Sequence, residues 1–254
     1  MNVSGENTNL IFGRNAVAEA IKSGRNIQSV FVQKNIQGAG KGILELARKA
    51  GVSITLVDKR ELDRMSGEKM NHQGVACKTS PYEYADLDNV LSSIDSLSEL
   101  EGSRLPLLIL LDGIEDPHNL GAIMRTAECV GASGVVIPKK HSAGITETVV
   151  KTSAGAVEYL PCVRVSNIAS TIDKLKEKGF WIYGCDMDGD SLWSTELKGK
   201  VAIVIGNEGS GISRLVREKC DFIVSIPMRG AISSLNASNA AAVVMYEVAR
   251  QAQK

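Results

Sequence analysis

From residue 106 onward the chain alternates short apolar runs with helical stretches, and this alternation restricts the fold more than any other property of the sequence. The runs Leu107–Leu111, Gly134–Ile137, Trp181–Gly184, Val201–Ile205 and Phe222–Ile226 have strand length. Helical patterns fall between and after them at Leu120–Val130, Ile168–Lys178, Ile212–Lys219 and Ala237–Gln251. A helix supplies the crossover that parallel strands need, so the expected architecture is an α/β fold with a parallel sheet and helices on both faces. The runs are rich in Val, Ile and Leu without polar alternation, as in strands covered on both sides. Hydrophobic residues make up 44% of the chain and aromatic ones 4%, so aliphatic side chains must fill that core.

The 254 residues exceed a typical domain of about 100–150, and composition suggests where to divide them. Residues 1–80 alternate strand-like Ser29–Val32 and Ile54–Val57 with helical stretches around Val17–Ile21 and Gly42–Ala50, a small α/β domain. Residues 81–105 are polar and acidic and read as a linker with a short helix; residues 106–254 form the larger domain. The net charge of zero hides an asymmetry between these segments. Residues 1–80 carry 12 Lys and Arg against 7 Asp and Glu, residues 81–105 carry 1 against 6, and the remainder balances at 16 each. The basic first segment, with Arg14, Arg25 and Lys34 among its cations, suits a phosphate-binding face. A surplus of this size is also what an ordinary solvated surface carries, and charge alone leaves both readings open.

No apolar run reaches the roughly 18–20 residues of a membrane span, and Met1–Glu6 lacks a charged-then-apolar leader pattern, so a cytoplasmic location without a membrane partner is expected. Five cysteines, widely spaced and without a CxxC pair, read as reduced core residues. Three histidines show no ligand spacing with them, and no metal is expected.

Three loops of the larger domain carry more than turns. The first, Asp112 to Thr126, follows a strand; Asn119 reads as a helix cap, and Arg125 lies about 1.7 turns further on. The second, Gly206-Asn207-Glu208-Gly209-Ser210-Gly211, also follows a strand. It nearly satisfies GxxxxGK[ST], but Ile212 occupies the lysine position, and the chain has no GxGxxG. Nucleotide triphosphates and nicotinamide dinucleotides are therefore disfavoured, and Glu208 would repel a polyanion. The third, Ile226 to Asn239, joins a strand to an Ala-rich helix. Its Ser234, Asn236 and Ser238 suit a ligand site at the strand ends, and they suit helix capping equally.

Taken together, these motifs resemble those of the SpoU (TrmH-type) branch of the SPOUT RNA methyltransferases, over nearly the whole chain. Asn119–Arg125 matches the family's first motif, Gly206–Gly211 the second, and Ile226-Pro227-Met228 with Ser234-Leu235-Asn236-Ala237-Ser238 the third. Ala237 stands where valine is usual, and Asn207 where Ser, Ala or Thr is common. The segments Ile11–Val17 and Gln73–Ala76 resemble an N-terminal substrate-binding domain, and Ser153–Ala156 a segment lying beside the site. The resemblance implies a SPOUT domain tied in a deep trefoil knot, which no pattern argument would propose. It further implies S-adenosylmethionine held by Gly206, Ile226 and Leu235, and catalytic support from Asn119, Arg125, Glu208, Ser234 and Asn236. The resemblance also implies that the basic domain meets RNA and that the chain forms a homodimer in which Arg125 acts across the interface. The implied reaction is methyl transfer to a ribose 2′-hydroxyl, with a guanosine of 23S rRNA as target. The alternatives are a tRNA target and a non-catalytic RNA-binding protein of the same fold.

Overall fold

The computed structural model describes residues 9–67, 71–97 and 104–252. The leader reading at Met1–Glu6 and part of the proposed linker therefore lie outside the described residues. The chain divides into two compact units, residues 1–83 with 145–159, and residues 84–144 with 160–254.

The first unit runs β1 (Leu10–Phe12), α1 (Arg14–Lys22), β2 (Ile27–Gln33), α2 (Ala39–Lys49), β3 (Ile54–Val57), α3 (Lys59–Met65) and β4 (Val75–Thr79). Its sheet has the order β1-β4-β2-β3, with β2 and β3 parallel and the other pairs antiparallel. Buried Phe12, Val57, Leu62 and Ala76 form a core on one side. Residues 145–159 are distant in sequence yet belong to this unit. Arg25 donates to Glu158 at 2.6 Å and to Ser80 O at 3.0 Å, and the Tyr159 hydroxyl donates to Glu19 at 2.6 Å. Within Ser153–Ala156, Gly155 has φ +92°, and an added Cβ would meet the Glu19 side chain at 2.6 Å, so glycine is what lets this turn lie on α1.

The second unit begins with α4 (Leu87–Leu97), β5 (Leu105–Asp112), α5 (Pro117–Cys129) and β6 (Ala132–Pro138); α6 (Glu147–Thr152) follows in the segment that belongs to the first unit. The second unit then resumes with β7 (Cys162–Val165), α7 (Ile168–Glu177), β8 (Phe180–Ser191), β9 (Lys200–Gly206), α8 (Arg214–Lys219), β10 (Phe222–Ser225) and α9 (Ala237–Ala252). Its six strands are parallel throughout, in the order β10-β8-β9-β5-β6-β7. The central run Leu107–Leu111 is completely buried. Leu108 and Leu110 share a core with Val90 and Ile94 of α4, Ile172 and Leu175 of α7 and Val216 of α8. Alternation along a strand turns Leu107, Ile109 and Leu111 to the opposite face, where α5 and α9 pack on each other and against β6 and β9. Helices thus cover both faces, as the alternation predicts. Among the described residues no helix is long and apolar enough to cross a membrane.

The strand ends depart from the sequence reading in ways that shape the site. β8 extends well beyond Trp181–Gly184, and its register against β10 jumps from Gly184↔Ile223 to Asp190↔Val224, so residues 185–189 bulge out of the ladder. α5 begins earlier than predicted. Asp116 caps it by accepting from His118 N at 2.9 Å, and Pro117 occupies the first turn, where its missing N–H costs nothing. Asn119, read from sequence as the cap, is instead a buried residue of that first turn, free to point its amide elsewhere.

Candidate functional site

The site lies at the carboxyl ends of β5, β8, β9 and β10, where open α/β sheets place their ligands. β9 ends at Gly206, and the loop after it is closed by paired bonds, Asn207 N to Gly211 O at 3.0 Å and Gly211 N to Asn207 O at 2.9 Å. A Cβ at Gly206 would overlap the backbone of Gly211 and Ile212, so the closure requires glycine there. Asn207 staples the loop from both ends of its amide: Oδ1 accepts from Gly209 N at 2.8 Å, and Nδ2 donates to Gly113 O at 2.8 Å. Asp112 adds a second tie by accepting from Ser213 N at 2.8 Å. The loops after β5 and β9 are therefore one hydrogen-bonded assembly.

The third loop joins through side chains. Asn119 Nδ2 donates to Glu208 Oε1 at 2.7 Å, and Asn236 Nδ2 donates to the same oxygen at 2.5 Å and to Asn119 Oδ1 at 3.0 Å. One residue from each predicted motif thus meets in a single cluster. Asn236 Oδ1 meanwhile accepts from Ser238 N at 2.9 Å and from the Ser238 hydroxyl at 2.6 Å, the bond pattern of an N-cap. Asn236 is therefore the cap of α9, one of the three residues, with Ser234 and Ser238, that the sequence offered for that role.

Beside this cluster is a cavity of about 550 Å3, within the range of ligand pockets. Gly206, Ile226, Leu235, Glu208 and Ser234 line it, as does the bulge residue Asp186. Ser234 is exposed and its side chain bonds no described residue. Arg125 does not line the cavity; it is exposed on α5 and likewise bonds no described residue. The lining holds two carboxylates, Glu208 and Asp186, and no Lys, Arg or His, which favours a cationic ligand and disfavours phosphates. Arg217 Nη1 pairs with Asp186 at 2.7 Å, and its Nη2 grips both oxygens of Asp188 at 2.9 and 3.0 Å, which holds the bulge in place. Sequence reasoning missed Asp186, Asp188, Arg217, Asp112 and the stapling role of Asn207. The available signal was Asp186-Met187-Asp188-Gly189-Asp190, too polar to read as the continuation of a strand.

In the first unit, Arg14 and Lys34 keep accessible charge. Arg14 Nε donates to Gln73 O at 3.1 Å, and Lys34 pairs loosely with exposed Asp58 at 3.2 Å. Arg25 differs. Its side chain is buried against Glu158 and Ser80 O and lies 6.0 Å from the Tyr82 ring, so its charge is committed within the unit. Burial raises the Glu158 carboxyl against the opposing pull of Arg25. Among the described residues no cluster of His, Cys, Asp and Glu could hold a metal ion.

The sequence model of the SpoU rRNA Methylase family matches residues 106–246, and that of an RNA 2′-O ribose methyltransferase substrate-binding domain matches residues 10–85. YacO of Bacillus subtilis, assigned to the TrmH family of tRNA/rRNA methyltransferases, is 43% identical over 244 residues, 95% of each chain. A Staphylococcus haemolyticus protein assigned to the same family is 46% identical over the same share of each chain. Among solved structures, the SpoU methyltransferase AviRb from Streptomyces viridochromogenes in complex with AdoMet superposes with a TM-score of 0.76 at 26% identity, covering 96% of this chain and 90% of that one. With the family's two domains matched in order and relatives aligned end to end, the chain belongs to the SpoU, or TrmH-type, family of RNA methyltransferases.

Proposed function

We propose that this protein transfers the methyl group of S-adenosylmethionine to a ribose 2′-hydroxyl of RNA, at a guanosine of 23S rRNA, working in the cytoplasm as a homodimer. The observation that carries the proposal is the Asn119–Glu208–Asn236 cluster, one residue from each motif, set beside a cavity that carries carboxylates and no cations. S-adenosylmethionine fits that cavity: its positive charge suits the Glu208 carboxylate, and Ile226 and Leu235 offer apolar surface and main-chain groups to an adenine and ribose. When bound, it supplies an electrophilic methyl group. We include in the proposal the knot that the family resemblance implies, with which the return of the chain from edge strand β10 to the Asn119–Glu208 cluster accords.

The chain's own residues then have distinct tasks. Glu208 Oε1 is occupied by two amide donors, and Oε2 bonds no described residue and can face a substrate hydroxyl. A guanidinium keeps its proton throughout the neutral range, so Arg125 does not serve as a literal base. Its planar fork binds a phosphate and stabilises the developing alkoxide, while the proton leaves to water or to that phosphate. That it bonds no described residue and does not line the cavity supports action on a neighbouring subunit's site.

An rRNA target is favoured over tRNA by the family model that matches residues 106–246, which is described as an rRNA methylase family. The test incubates the protein with methyl-labelled S-adenosylmethionine and separate transcripts of 23S rRNA and tRNA. Label recovered as 2′-O-methylguanosine from 23S rRNA is the expected result. Label in tRNA, on a base or nowhere would overturn it.

A further inference from the structure

The first unit holds a second cavity, about 500 Å3, for which methyl transfer has no use. It is built on two turns tied together, with Gln33 N donating to Gly74 O at 2.9 Å and Val75 N to His72 O at 3.0 Å. Asn35 and Gln73 are held at φ 57° and 53°, in the left-handed region that non-glycine residues seldom occupy. Strain of this kind concentrates where a ligand is clamped. His72, 6% exposed, fixes the second turn with both ring nitrogens. Nδ1 accepts from Gly74 N at 2.9 Å, so the ring proton sits on Nε2, which donates to Asp63 at 2.9 Å.

The rim carries groups that these turns leave unused. The carboxamides of Gln33, Asn35 and Gln37 bond no described residue. Arg14 spends its Nε on Gln73 O and leaves its Nη groups unbonded among the described residues, and Lys59 is exposed beside it. A carboxamide presents a donor and an acceptor side by side, the pattern that matches a nucleobase edge, and the two cations suit a phosphate. The cavity is sized for one nucleotide rather than a duplex, and RNA is read chiefly where bases are splayed out of the stack. Among the described residues no Phe, Tyr or Trp lines it, and the buried His72 ring is spent on Gly74 and Asp63, so recognition rests on the base edge, with the Arg14 plane available for stacking.

We propose that this cavity receives one unstacked nucleotide of the RNA substrate, its base on the carboxamides of Gln33, Asn35 and Gln37 and its phosphate on Arg14 and Lys59. The proposal rests on the reading that the chain acts on RNA. To test it, the full chain is crosslinked at 254 nm to a 23S rRNA transcript and the crosslinked peptides are mapped, with methyl transfer to the same transcript measured in parallel. Crosslinks are expected within 33–37 or 71–74. The exposed pair Gln37→Ala with Lys59→Ala should bind the transcript about ten-fold more weakly with S-adenosylmethionine binding unchanged. Crosslinks confined to other peptides, or a double variant that binds as tightly as the parent, would overturn the proposal even if methylation proceeds. Crosslinks at the cavity without methylation would support it and overturn only the assignment of this RNA as methyl acceptor.

Discussion

Asn236 performs two tasks with the two ends of one amide, and substitutions can separate them. Its oxygen caps α9 and its nitrogen holds Glu208 and Asn119. Asn236→Asp keeps an acceptor for the cap but sets a carboxylate against Glu208, so methyl transfer should collapse while thermal stability changes little. Asn236→Ala should lose both, with a stability cost of about 0.5–2 kcal/mol seen in urea unfolding. Arg125→Lys retains the charge without the fork, and turnover should fall with S-adenosylmethionine affinity unchanged; full turnover would reject fork-dependent positioning. Glu208→Gln tests the remaining alternative for the base: loss of the acidic limb of the pH–rate profile would assign proton removal to Glu208. The cysteines offer a separate check. Burial pushes the Cys77 and Cys162 thiols up to about 12 and Cys220 up to about 11, and Cys185 is raised further still. A raised thiol pKa keeps the unreactive protonated form at neutral pH, so iodoacetamide should label exposed Cys129 alone in the native protein, as read by mass spectrometry. At this scale motif matching singled out Asn119, Glu208 and Asn236, which the structure brings together. The sequence reading misassigned Asn119 as a cap because Asp116-Pro117, three residues earlier, carried the stronger start signal.

Among the elements, the long apolar strands were legible because burial on both faces writes itself as an uninterrupted aliphatic run. Leu107–Leu111 is the plainest case, and Leu110→Ala should cost about 2–5 kcal/mol in denaturant unfolding. Strands β1, β4 and β7 escaped the sequence reading because β1 has only three residues and Lys78 and Arg164 interrupt the apolar runs of β4 and β7. The bulge of β8 was hidden for a different reason. Its residues face solvent and the cavity rather than the core, so they are polar, and their position is set by Arg217, 29 and 31 residues from the carboxylates it holds. The closed loop after β9 is equally exacting. Gly206→Ala would push Cβ into the Gly211 backbone, so it should abolish cofactor binding by calorimetry; retained affinity would show that the loop closure is dispensable.

For the molecule as a whole, alternation predicted a parallel sheet, and the second unit has one with helices on both faces. The placement of residues 145–159 with the first unit was not legible, because it rests on the Arg25–Glu158 and Tyr159–Glu19 contacts between residues more than 130 positions apart. If Arg125 serves the neighbouring subunit, mixing inactive Arg125→Ala with inactive Asn236→Ala should restore partial activity, since a mixed dimer contains one intact site. If the loops after β9 and β10 form one cofactor-binding assembly, hydrogen exchange with and without S-adenosylmethionine should show protection concentrated in residues 206–212 and 226–236; protection elsewhere, or none despite measured binding, would rule that assembly out.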